Sequence, residues 1–235
     1  MVIFVLNGKF LYFIGYMSMH KKKKVAILYL NTGGGHIGYA RALNQGIKRK
    51  YSDAEVTLFN PLTDSTFLKM IIESGFSTTT KNDYTEYLFN GLSQLWSKDF
   101  TRRASGKIFL FSLKKTLHQF FSQQRFDYVI STHFFLSRGV MEEIKEYAWK
   151  SVFFHLVADP FTPHPIRFDV KGCTYLVESE QVKKMCLQRT IPEKDIHVFP
   201  MILDEKFNQQ CSEVQKEAIR KEFSIKKEEK VVLLL

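Results

Sequence analysis

The sequence predicts a doubly wound α/β fold: a parallel sheet with helices on both faces, Rossmann-like, with a helical insertion. Three observations carry that expectation. Short apolar runs alternate with longer segments of helical period. Three consecutive glycines join the first apolar run to the first helical segment. Of the 235 residues, 45% are hydrophobic and 25% charged, the composition of one or two globular domains rather than of a disordered chain.

The elements follow in order. "VAILYL" (25–30) is a continuous aliphatic run, as in a strand buried on both faces. "NTGGGH" (31–36) reads as a turn. Ile37, Ala40, Leu43 and Ile47 then recur at helical spacing, and Lys48, Arg49 and Lys50 close the helix where cations suit its carbonyl end. "AEVTLF" (54–59) reads as a second strand, so these elements form a parallel unit with a right-handed crossover. Residues 61–125 crowd aromatic, aliphatic and basic side chains and read as an insertion of two or three helices. The alternation resumes with strands in "DYVIST" (127–132), "SVFFHLVAD" (151–159), "TYLVES" (174–179) and "DIHVFP" (195–200). Helices are expected over 137–148 and over 179–189, the latter capped by Ser179. Another helix is expected near 213–223, then a strand in "EKVVLLL". The expected organisation is an apolar extension (1–20), the α/β domain (21–207), and a linker with the start of a second domain (208–235).

The first 19 residues are apolar but interrupted at Asn7, Gly8 and Lys9, and the run after them is too short to span a bilayer. Three readings stand: a weak anchor before "HKKKK", an extension upstream of a start at Met17 or Met19, or an extra packed element. The net charge of +10 is uneven: residues 1–125 carry 18 Lys/Arg against 7 Asp/Glu, residues 126–235 carry 16 against 17. The positive half would attract lipid, nucleic acid or a phosphorylated ligand. The insertion either packs on the sheet as a helical layer or docks on anionic membrane lipid through Trp96, Phe100, Arg102 and Arg103. Nucleic acid is disfavoured, because no RNA-binding signature accompanies the aromatics. Three cysteines with no C-x-x-C pair read as reduced thiols in a cytoplasmic protein.

In an open parallel sheet, ligands sit beyond the carboxyl ends of the strands. Gly33, Gly34 and Gly35 lie there and would bring backbone N–H groups against a ligand at a helix start. The bare G-x-G-x-x-G string is present, but the second strand ends "LFN" with no carboxylate for a ribose, which argues against a dinucleotide. His36 is read either as a helix cap or as a neutral imidazole taking a proton as general base. Asp159, His164 and Pro165 lie in a proline-stiffened loop at the same edge, and His133 follows another strand there. Their spacing matches no metal pattern, so neither metal nor cofactor is expected.

At these residues a family resemblance emerges. "VAILYLNTGGGHIGYARAL", "FDYVISTHFF", "VADPFTPHPIRFD" and "YLVESEQVKKMCLQRTIPEKDIHVFPMILDEKF" together resemble the N-terminal domain of the processive diacylglycerol glucosyltransferases and monogalactosyldiacylglycerol synthases. These are relatives of the peptidoglycan lipid II glycosyltransferase. The resemblance runs from about Lys24 to Phe207. It implies a two-domain, inverting GT-B glycosyltransferase, peripheral on the membrane, whose N-terminal half holds a diacylglycerol-type acceptor while a second domain holds the UDP-sugar. It makes His36 the base on the acceptor hydroxyl and Asp159 a second catalytic position. The three glycines, His133, His164 and Pro165 fall on the acceptor side. The sequence departs from the family at Ala158, Ile166-Arg167-Phe168 and Val198-Phe199. With no donor domain in the sequence, the chain alone is expected to be inactive, either half of an enzyme or a non-catalytic membrane subunit that recruits a donor-binding chain.

Overall fold

The computed structural model describes residues 22–31, 34–61, 113–204, 207 and 211–232. The described residues fall into two compact units that divide after Asp204.

The first unit is the expected α/β architecture. Six strands, β1 (Lys24–Leu28), β2 (Glu55–Phe59), β3 (Tyr128–Ser131), β4 (Val152–Val157), β5 (Thr174–Val177) and β6 (Ile196–Val198), form one sheet in the order β2-β1-β3-β4-β5-β6. Every neighbouring pair is parallel. Helices α1 (Gly34–Lys50), α2 (113–123), α3 (Phe134–Glu146) and α4 (Glu180–Gln188) cover it.

Two apolar layers explain why the central strands read as unbroken aliphatic runs. On one face, Ala26, Leu28, Val129, Phe153 and Val177 pack with Leu113 and Leu117 of α2, Leu136 and Val140 of α3, and Val182 and Cys186 of α4. On the other, Val25, Ile27, Ile130, Phe154 and Leu176 pack with Ala40, Leu43 and Ile47 of α1. With side chains alternating across the pleat, a strand covered on both faces has no polar side to show.

Several elements differ from expectation in ways that matter for the site. Helix α1 begins at Gly34, so Gly34 and Gly35 form its first turn instead of lengthening the loop. Helix α3 starts three residues earlier than expected because His133 caps it: the His133 ring accepts from the Phe135 N–H at 3.3 Å. Ser179 caps α4 as expected, accepting from the Val182 N–H at 3.1 Å. Strand β6 shortens to three residues because a 3₁₀ turn at Glu193–Asp195 uses up its start. Residues 62–112, with Trp96, Phe100, Arg102, Arg103 and most of the expected insertion, lie outside the described residues. Among the described residues, no helix is long and apolar enough to cross a membrane.

The second unit contains helix α5 (Glu213–Glu222), started by a reciprocal cap between Ser212 and Gln215. The strand expected in "EKVVLLL" is not found over 230–232, where Val231 and Val232 are exposed in irregular backbone. A strand needs a neighbour for its N–H and C=O groups, and the described residues of this unit supply none.

Candidate functional site

Strand order sets where a site forms. The chain winds from β1 to β2 on one side and from β3 to β6 on the other. The crevice between the carboxyl ends of β1 and β3 is therefore the topological switch point, the usual ligand position in such sheets. The residue after β1 leads into α1, and the residues after β3 are Thr132 and His133.

The structure joins these two segments through His36. Its Nδ1 lies 2.6 Å from the Thr132 carbonyl. A carbonyl only accepts, so Nδ1 carries the proton and Nε2 keeps its lone pair. The Thr132 hydroxyl is within reach of the His36 carbonyl (3.2 Å) and the Leu28 carbonyl (3.4 Å), which fastens the first turn of α1 to both strand ends. His36 is half-buried, not sealed in the core. Burial, then the positive charge of Arg167, push its pKa down to about 4 against the opposing pull of the Thr132 carbonyl. The ring is thus neutral throughout the physiological range.

His133 stands directly behind it, with ring centroids 4.4 Å apart. It is 2% exposed. Burial, then His36 and Arg167, hold it well below the ordinary histidine range. Asp159 follows β4, and its Oδ1 accepts from the N–H groups of Phe161 (3.2 Å) and Thr162 (3.1 Å). His164 caps the 3₁₀ turn Pro165–Phe168, its Nδ1 accepting from the Ile166 N–H at 3.4 Å, with Pro165 at the first position of that turn. Gly33 lies outside the described residues and Gly34 opens α1. An added Cβ at Gly35 or Gly38 would meet nothing within 4 Å among the described residues. Glycine in a helix costs about 1 kcal/mol relative to alanine, and no packing against the described residues requires that cost here.

Three further residues complete the cluster, and none had been singled out as functional from sequence. The Tyr39 hydroxyl donates to Glu178 Oε2 at 2.8 Å, joining α1 to the residue after β5. Glu178 Oε1 is buried with no hydrogen-bond partner. Burial pushes the Glu178 carboxyl up to about 7, the nearby Asp159 adding to the rise. Burial also raises the Tyr39 hydroxyl, as do Glu178 and Asp159. The third is Arg167, in the 3₁₀ turn, with its guanidinium 5.2 Å from the Phe134 ring centroid.

A buried relay fixes the Arg167 backbone. His155 Nε2 lies 2.8 Å from the Arg167 carbonyl, so it donates there, and His155 Nδ1 accepts from the Ser137 hydroxyl at 2.6 Å. Burial pushes His155 down to about 4. Both members are inaccessible, at 1% for His155 and 0% for Ser137, which makes the relay structural rather than ligand-facing. No group of three His, Cys, Asp or Glu among the described residues is arranged to hold a metal ion.

The fold and site define an α/β unit with a polar cluster at its switch point, built around a neutral histidine. Compared with models of known protein families and with curated proteins, the chain matches none at a significant level.

Proposed function

We propose that this α/β unit is the acceptor-binding half of a glycosyltransferase that moves a hexose from a UDP-sugar onto a diacylglycerol-type alcohol at a membrane surface. The observation that carries the reading is the His36–Thr132 hydrogen bond at the switch point. It leaves Nε2 unprotonated beside a helix start where nothing among the described residues fills the space at Gly35. As the acceptor oxygen attacks the anomeric carbon, its O–H proton passes to His36 Nε2. The bond from that carbon to the departing UDP breaks, with inversion. His133 backs the ring and holds its plane, and Asp159 and His164 order the loop that lines the acceptor side. The UDP-sugar is bound by a second α/β unit, in the same polypeptide or in a partner chain. Membrane attachment rests on the basic N-terminal half and, at the described edge, on Phe161, which is 66% exposed.

The test is nitrogen NMR of the histidine rings. Dihexanoylglycerol, with one free hydroxyl, should shift His36 Nε2 in a saturable way. Trihexanoylglycerol, which lacks the hydroxyl, should not. A Nε2 resonance indifferent to both would sink the assignment of His36 as the base. Addition of a donor-binding unit should give transfer that His36→Ala lowers by at least about 100-fold, the usual weight of a general base.

A further inference from the structure

Among the described residues, Arg167 presents a cation with no ion-pair partner. Its Nε is buried and donates to nothing. No carboxylate of the described residues lies within ion-pair distance of the guanidinium, and none of their acceptors receives a hydrogen bond from it. Burial lowers its pKa, offset partly by the field of Asp159 and less by Tyr39. Asp159 is already engaged by two backbone N–H groups. The titratable neighbours on the surrounding elements are His36 and Tyr39 of α1, His133 after β3, His155 of β4 and Asp159 after it. The three histidines are neutral and feel the guanidinium as a repulsive charge. A half-buried charge without an ion-pair partner is costly, and more so the further it is withdrawn from water. Yet the fold holds this one in place: Phe134 stacks on it, and the His155–Ser137 relay pins its backbone. The side chain is thus held at the carboxyl edge of the sheet, close enough to His36 for its charge to be felt there, with no ion-pair partner among the described residues.

From this geometry we infer that Arg167 anchors a phosphate group of the ligand that occupies the switch-point crevice. The planar guanidinium offers paired N–H groups that match phosphate oxygens, and its charge supplies the strength. The inference builds on the proposed acceptor site and adds a role for this arginine. An anion on Arg167 would also cancel the repulsion felt by His36 and raise the basicity of Nε2, so binding would activate the base. A diacylglycerol acceptor carries no phosphate, so the phosphate comes either from a phospholipid headgroup seated beside the acceptor or from the nucleotide donor, and the chemistry at Arg167 is shared.

The experiment follows the Arg167 Nε–H and His36 ring signals while inorganic phosphate, glycerol 3-phosphate or UDP is added. Saturable movement of the Arg167 signal, with an upward shift of the His36 pKa by about one unit, is expected with at least one of them. The tightest binder identifies the source: glycerol 3-phosphate points to a phospholipid headgroup, UDP to the donor. Arg167→Gln should weaken binding at least about tenfold and leave His36 with an already raised pKa that no longer responds to the anion. Arg167→Lys, which keeps the charge and loses the fork, should fall between, and it covers the case in which Arg167→Gln fails to fold. Absence of any saturable shift in the wild-type chain, or unchanged affinity in a folded Arg167→Gln, would overturn the assignment. Dihexanoylglycerol acts on His36 independently of these anions, so the acceptor reading and the phosphate anchor fail separately.

Discussion

The two edges of the sheet carry charge in opposite ways. At the amino edge, Lys23 Nζ lies 3.1 Å from Asp127 Oδ1, the Lys24 N–H donates to Asp127 Oδ2 at 2.9 Å, and Lys22 faces Glu55 at 3.5 Å. These charges are paired, close to solvent. At the carboxyl edge, Arg167 has no ion-pair partner among the described residues, three histidines are held neutral, and Glu178 has a bare buried oxygen. One edge is finished as structure. The other keeps its electrostatics open, at some cost in stability, and that imbalance marks it as the candidate site.

The largest break in that comparison comes from acid. His36 and His155 titrate near 4 in the folded protein, below the unfolded value of 6.5. The unfolded state therefore binds protons first, and stability falls as pH drops from about 6.5 towards 4. The loss is on the order of 3 kcal/mol for each of these two, with His133 adding in the same direction. Urea unfolding at pH 7 and pH 4.5 should show it. A midpoint that stays level between them would mean the histidines are not held neutral by burial.

Glu178 gives the next effect, with the opposite sign. Its folded pKa, about 7, lies above the unfolded 4.5. The folded state keeps the proton longer, so its stabilising contribution is full below 4.5 and is lost as pH rises to 7. Glu178→Gln preserves an acceptor for Tyr39 and removes the penalty. It should stabilise the protein at pH 8 by on the order of 2 kcal/mol, a melting shift of several degrees, and change little at pH 4.5. An equal shift at both pH values would mean that the carboxyl is not the titrating group. Together the two effects place the stability maximum near neutrality, above the histidine window and at the top of the Glu178 one.

The smallest effect belongs to the amino edge. Burial raises the Asp127 carboxyl, but the Lys24 amide and the Lys23 ammonium outweigh it, and its pKa ends below the ordinary value. The pair is only partly buried at the sheet's margin, and Asn keeps an acceptor for the Lys24 N–H, so Asp127→Asn should cost about 1 kcal/mol, and less in high salt. A cost comparable to that of the histidine titration would erase the distinction between the edges.

Much of the fold was legible in the chain. Strands such as β4 declared themselves as aliphatic runs, Ser179 announced α4, and His36 stood out beside its glycines. The placement of Asp159, His133 and His164 at one edge also followed from their positions after strands. Arg167, Tyr39 and Glu178 escaped notice because nothing local marks them. Tyr39 looks like any residue on a helix, and its hydrogen bond reaches a carboxylate 139 positions away. His155 read only as part of a strand, since its work is to hold a carbonyl twelve residues on.

Sequence alone determined the alternation of strands and helices and the edge at which polar residues gather, because both follow from short-range periodicity and chain direction. Tertiary structure decided which of those residues meet and which charges go unanswered. Proton affinities at the crevice depend on burial and on fields from segments far apart in the chain, and only the closed fold brings those together.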